Sequence, residues 1–271
     1  MAKKSDMDSL TSIPGTVSKI LWHFTGGPAR DPSTKRQSDQ PKDSNDAYNA
    51  LLKIIKSHYL KAGSDNEILV VPSPEASNAA KATLALVSKD IGVDFGEIDN
   101  YQIETGKVSC LADIPLQHLA YHARRYGRFG IGFHRAPVVA AKFHPVFYTL
   151  EGSEFIRDIN RLMYELRKRA ATEKTSDDFF LSIGFGKEAS LVHLLQRFFN
   201  IIKTFNPSEF DSIYCEREWR KTGDFQFELS DIAMVILPKE GGYFDSFIAE
   251  CESLSLPRTI PVLPWEDLIE H

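Results

Sequence analysis

Cysteine is scarce in this sequence: Cys110, Cys215 and Cys251 stand far apart, with no CxxC pair among them. Neither a disulfide framework nor a thiolate zinc knuckle can be built from three such residues, and a count that is odd and sparse fits reduced thiols in a cytosolic protein. Long apolar runs are missing too. No window approaches the ~20 apolar residues of a membrane-crossing helix, and the opening MAKKSDMDSLTSIPG has no apolar centre of the kind a secretion signal carries, so the expectation is a cytoplasmic protein without membrane contact. Positive charge is not in excess: the net charge is −5, which argues against a chain that is basic throughout and grips nucleic acid non-specifically. Internal repeats, low-complexity blocks and a glycine-rich phosphate loop are all absent. What is present is ordinary globular composition, 42% hydrophobic and 25% charged over 271 residues, enough for a substantial core.

Residues 1–18 are polar and read as a mobile tail, leaving 19–271 as one domain. Ile20–Thr25 (ILWHFT) reads as a buried strand stopped by Gly26-Gly27-Pro28, and 29–45 as a long polar loop. Apolar spacing at Ala47, Leu51, Ile54, Ile55 and Tyr59 predicts a helix over 46–62. Strand 68–71 and a helix over 73–89 follow. Strands 102–105 and 107–111 read as a pair around Gly106, then come a helix over 115–125 and a strand, Phe129–Phe133, whose two glycines imply a close neighbour. A brief helix near 138–143 and a strand over 145–150 precede helices over 154–171 and 191–205. The rest reads as strands at 214–220, 225–229, 232–237 and 259–263, with a helix near 243–253. This irregular mixture predicts an α+β fold: a single domain on a mixed, largely antiparallel central sheet with flanking helices.

Four groups of residues carry chemical interest. His23 and Thr25 would share a strand face just before a glycine turn, where they could bind a ribose or amide; His23 alone reads as a core histidine with a structural partner. Asp113 stands at a helix-cap position, and His118, His122 and Tyr126 share one helical face, yet no HExxH glutamate follows His118, so no metal is expected and a polar face bordering a cleft is the better reading. The glycines of Tyr126–Phe133 lead into a strand, the reverse of a dinucleotide fingerprint. Last is YCEREWR, 214–220. Read as a strand, it puts Glu216, Glu218 and Arg220 on one face, with Arg220 holding one carboxylate ionised and the other raised by its neighbour. The same pattern fits an exposed charge ladder, worth about 0–1 kcal/mol per pair. Arg124, Arg125, Arg128 and Arg135 make a basic strip along the sequence.

The HFT at 23–25, the run from Cys110 to Phe133 (CLADIPLQHLAYHARRYGRFGIGF) and the late EREWR at 216–220 together resemble the AbiGi-type abortive-infection family of bacterial phage-resistance proteins. That resemblance implies an effector of anti-phage defence. A second resemblance, to ADP-ribosyltransferase toxins, rests on the early His-x-Thr strand and the late Glu216-Arg-Glu218. It implies an ADP-ribosyltransferase-like fold with NAD as substrate, bound through His23, Thr25, Arg125, Tyr126 and Arg128. Glu218 would stabilise the oxocarbenium-like charge and Glu216 would orient the acceptor, a strategy of large electrostatic effect. His122, Asp113 and Arg220 complete the cleft candidates.

The expectation is therefore a toxic effector: an NAD-using ADP-ribosyltransferase or NAD glycohydrolase acting on nucleic acid or protein, and answering to an antitoxin or a phage-derived trigger. The alternatives are a non-enzymatic sensor or regulatory module that binds a phage component or partner protein, and a metal-dependent nuclease using Asp113, His118, His122 and the two glutamates.

Overall fold

Strand β1 (Ile20–Phe24) is paired on both edges and buries Leu21, Trp22 and Phe24, which is why it reads as a largely apolar run. The computed structural model describes residues 18–27, 40–63, 68–72, 100–104, 106–150, 153–156, 158–159, 198–205 and 214–269. The expected tail up to residue 17, the expected helix over 73–89, most of that over 154–171 and residues 191–197 of that over 191–205 lie outside these residues. In chain order the remaining strands are β2 (Tyr59–Leu60), β3 (Ile68–Pro72), β4 (Asn100–Glu104), β5 (Val108–Ala112), β6 (Gly130–His134), β7 (His144–Pro145) and β8 (Phe147–Leu150). They continue with β9 (Ile202–Phe205), β10 (Glu218–Thr222), β11 (Phe225–Gln226), β12 (Ile232–Leu237) and β13 (Val262–Pro264). Seven strands form the main sheet in the order β13-β12-β6-β1-β5-β10-β7. Its β1–β6, β1–β5, β12–β6 and β10–β7 pairs are antiparallel and β12–β13 is parallel, so the fold is α+β on a mixed, largely antiparallel sheet.

By its internal contacts the chain divides into two compact units: residues 1–59, 111–142 and 226–271 form the first, and 60–110 with 143–225 the second. In the first unit, β1 pairs with β6 from Ile20↔His134 through Phe24↔Gly130, and Trp22 meets Ala112 of β5. Trp22, Phe24, Ile114, Leu119, Ile236 and Trp265 form its buried cluster, each large apolar side chain contributing ~1.5–3 kcal/mol on burial. The Trp22 indole donates to the Ile114 carbonyl at 3.1 Å, so its one polar atom is satisfied. Helix Ser44–Ser57 covers this unit with Ala47, Leu51, Leu52 and Ile55; it starts where the Asp43 carboxylate accepts from Asn45 N–H at 2.8 Å. In the second unit β3 pairs antiparallel with β4, and β8 pairs parallel with β9 over Phe147↔Ile202 to Leu150↔Phe205.

Several sequence expectations need correcting. The helix ends at Ser57 and not near 62, because His58 takes a left-handed conformation (φ 53°) and turns the chain into β2. Strands β4 and β5 are not a hairpin around Gly106, since β4 pairs with β3 and β5 with β1. Residues 202–205 are a strand, although the apolar spacing before them predicted a helix to Phe205. The two glycines of β6, by contrast, do meet a close neighbour. A Cβ on Gly132 would stand 2.6 Å from Ile20 Cγ2 and 2.9 Å from the Trp22 ring.

Replacing Gly132 with Ala therefore forces two packed side chains on β1 to shift, and is expected to cost ~1–3 kcal/mol. Urea denaturation would read this as a lowered midpoint at unchanged m-value. A variant as stable as the parent would show that β1 and β6 can separate freely.

Candidate functional site: a buried acid–base cluster

YCEREWR does not run as one strand. Tyr214–Glu216 is a single 3-10 turn, Arg217 adopts φ +42°, and the extended backbone begins only at Glu218. The left-handed residue breaks the period-two alternation the sequence implied. Glu216 and Glu218 still point to a common partner, but they reach it through the turn and not as neighbours on a strand face. Both are buried, at 4% and 8% exposure, and Arg220 is fully enclosed at 0%.

Burial of Glu216, Glu218 and Arg220, with Lys203 largely covered beside them, is tolerable only if the four neutralise and hydrogen-bond one another, and here they do. Arg220 Nε donates to Glu218 Oε1 at 2.8 Å, and a second guanidinium nitrogen donates to Oε2 at 3.0 Å, a two-pronged fork. Its third nitrogen donates to the Asn200 carbonyl at 3.2 Å. Lys203 Nζ donates to Glu218 Oε2 at 3.2 Å and makes a short ion pair with Glu216. Two acids and two bases therefore form one balanced group. Burial pushes the Glu218 carboxyl upward, but Arg220 and Lys203 together outweigh it, with a hydrogen bond from Cys110 adding to their effect, and hold it well below the usual carboxylate range.

Residues around the cluster fix its geometry. Glu218 N–H donates to the Tyr148 hydroxyl oxygen at 2.7 Å, and the Glu218 carbonyl accepts from Val146 N–H at 2.9 Å. Burial raises the Tyr148 phenol, with the Glu218 charge acting in the same direction, so it stays protonated through ordinary pH. Tyr148 and Lys203 are cross-strand partners on β8 and β9, so that two-stranded pair presents both groups to β10. Asn200, 1% exposed, accepts from Gly106 N–H at 2.6 Å and donates to the Thr222 hydroxyl at 2.8 Å. Tyr148, Asn200 and Lys203 went unnoticed in the sequence. For Lys203 a signal existed: a single cation inside the apolar run IIKTF calls for a buried acid.

The other candidates lie in the first unit, and they separate into several small groups. His23 is half-buried on the face it shares with Leu21, opposite Ile131. The Thr25 hydroxyl donates to the Ala47 carbonyl at 2.7 Å and so fastens β1 to the helix Ser44–Ser57. His122 stacks on Tyr126 (ring centroids 4.2 Å, 8° between planes) and tilts against Phe24 at 4.8 Å. His118 sits apart from that stack, exposed in a 3-10 turn. Asp113 does not cap a helix: it accepts from Arg135 at 2.7 Å, while Arg135 Nε donates to the Ser18 carbonyl. The Arg125 guanidinium lies 5.9 Å from the Tyr126 ring centroid, and Arg128 pairs with Glu240 and, at 3.7 Å, with Glu266. The basic strip is thus broken up, since Arg128 and Arg135 are already engaged with acids. Among the described residues no group of three His, Cys, Asp or Glu is placed to hold a metal ion, and no helix is long and apolar enough to cross a membrane.

Removing Arg220 would leave Glu218 buried without its fork. Arg220→Ala is expected to lose ~3–5 kcal/mol in chemical denaturation, and a loss under ~1 kcal/mol would mean the pair is not desolvated. The pH dependence has a definite sign. An unfolded glutamate titrates near ~4.3 and the folded Glu218 well below, so the cluster's contribution is complete above about pH 5 and is lost as pH falls through the folded value. Glu218→Gln is expected to flatten this acid limb of the stability profile; an unchanged limb would contradict the assignment.

Comparison with known protein families gives a match. Residues 98–247, more than half of the 271, fit the family model described as "Putative abortive phage resistance protein AbiGi, antitoxin". The matched span contains the whole acid–base cluster, while His23 and Thr25 fall before it. No curated protein and no solved structure matches the chain. The chain belongs to the AbiGi family of abortive phage resistance proteins.

Proposed function

We propose that this chain, whose family places it in abortive phage resistance, serves on the antitoxin side of such a system and acts by binding a toxin partner. The observation that carries this reading is how completely Glu218 is occupied. A carboxylate accepts in about four directions, and here Arg220 takes two, Lys203 a third and Cys110 a fourth. An acid that stabilises a departing nicotinamide must turn a free oxygen toward the ribose, so this cluster does not fit NAD as it stands. It fits a brace that holds β10 against β8 and β9 and so fixes the surface those strands carry. In some proteins buried ionic groups have this role, contributing more to one defined arrangement than to net stability.

One observation supports the transferase alternative. Glu218 is kept ionised, and Lys203 links it to a second acid, Glu216. In that reading NAD is the substrate, Glu218 faces the developing charge, Glu216 orients the acceptor, and Lys203 must withdraw first.

Expressed alone in host cells, the chain is expected to leave growth unaffected; with its cognate toxin it is expected to restore growth and to co-elute with it. Purified protein is expected to release no nicotinamide from NAD. Growth arrest by the chain alone, or nicotinamide release by the parent protein, would overturn the antitoxin reading in favour of the transferase.

A further inference from the structure

The first unit holds a cavity of about 340 Å3 that none of the roles above uses. Its size lies at the small end of the ~300–1,000 Å3 typical of small-molecule pockets. Three cations line it: Lys42, which precedes the helix Ser44–Ser57, and Arg124 and Arg128, on and just beyond the helix Leu119–Tyr126. Apolar walls come from alanines of both helices together with Phe129 and Trp265. The floor is bare peptide. Gly26 and Gly127 approach so closely that a Cβ on Gly26 would stand 2.9 Å from the Tyr126 carbonyl oxygen, and Gly127 holds φ +75°. A pocket with one cationic rim and an apolar, partly aromatic body suits a ligand with one anionic end and one flat apolar end. Guanidinium groups favour phosphate through paired N–H donors.

We propose that this cavity binds a phosphate-bearing ligand of mononucleotide size, with the phosphate on Arg124, Arg128 and Lys42 and the base against the apolar wall. The proposal stands apart from the reading of the acid cluster, since every lining residue belongs to the first unit. Arg128 is already paired with Glu240 and Glu266, but the Glu240 side chain is 73% exposed. Surface pairs of that kind are weak, so an incoming phosphate can replace Glu240 at little cost. Glu240 therefore acts as a competitor for the same guanidinium, and its removal should strengthen binding.

Calorimetric titration of the full chain with AMP, adenosine and inorganic phosphate tests this. AMP is expected to bind at least about tenfold more tightly than either fragment, because neither fragment fills both ends of the pocket. Arg124→Gln and Lys42→Gln are each expected to weaken AMP by about three- to tenfold. Both positions are exposed, so the fold is expected to survive, with a thermal melt as the control. Glu240→Gln is expected to tighten AMP by a few-fold, an effect that misfolding cannot imitate. No AMP binding near ~1 mM, AMP binding no tighter than its fragments, or affinity unchanged in all three variants would each overturn the proposal. So would tight binding of a single-stranded oligonucleotide without binding of AMP.

Discussion

The two-pronged bond from Arg220 to Glu218 is the constraint on which the second unit rests. A guanidinium at 0% exposure must find acceptors for its donors, and a buried carboxylate must find donors. Each meets the other's requirement. What remains is supplied by groups that are themselves tied down: the Asn200 carbonyl for Arg220, and Lys203 for Glu218. Asn200 then reaches Gly106 and Thr222, while Lys203 reaches Glu216. Loss of any one member leaves a neighbour unsatisfied, so the group behaves as a unit and its members are expected to couple strongly. This explains how three charged residues of YCEREWR, Glu216, Glu218 and Arg220, can be buried while Tyr214 and Cys215 stay exposed.

The first unit is organised by the opposite rule. Its stability comes from apolar contact, and its buried polar atoms are mostly dispersed and individually satisfied. Trp22 reaches one carbonyl, Thr25 another, and Gly132 exists to let Ile20 and Trp22 lie against the β6 backbone. Residues that look like chemistry in the sequence, such as the histidine and threonine of HFT, here belong to the packing: His23 is half-buried on β1, and Thr25, just after it, ties the chain to the helix Ser44–Ser57. The exception is the cationic rim formed by Lys42, Arg124 and Arg128, where side chains line open space.

Elements whose identity depends on their own composition were legible in the sequence. β1 and β12 are apolar runs, β6 carries paired glycines because of a close neighbour, and the mixture of strands and helices gave the α+β class. Elements whose identity depends on a distant partner were not. Residues 202–205 follow an apolar helical spacing yet form β9 because β8 offers a parallel edge. The left-handed Arg217 carries no local mark, since nothing in its neighbours demands positive φ. At the site, the charge content of 214–220 correctly drew attention to Glu216, Glu218 and Arg220. The closing partners, Lys203, Tyr148 and Asn200, stand 15, 70 and 20 positions away from the residues they bind, so no local pattern names the pairings, and only the lone cation in IIKTF marks Lys203 as needing a buried acid.

A double-mutant cycle between Glu218 and Arg220, read in both stability and phage protection, tests the account most directly. If the cluster is a brace, Glu218→Leu and Arg220→Met will each destabilise by ~3–5 kcal/mol, and the pair together will recover most of that loss. The doubly substituted, refolded protein will then still protect. A double variant that is stable and well folded but has lost protection would contradict the account, because Glu218 would then be needed for its charge and not for the arrangement it holds.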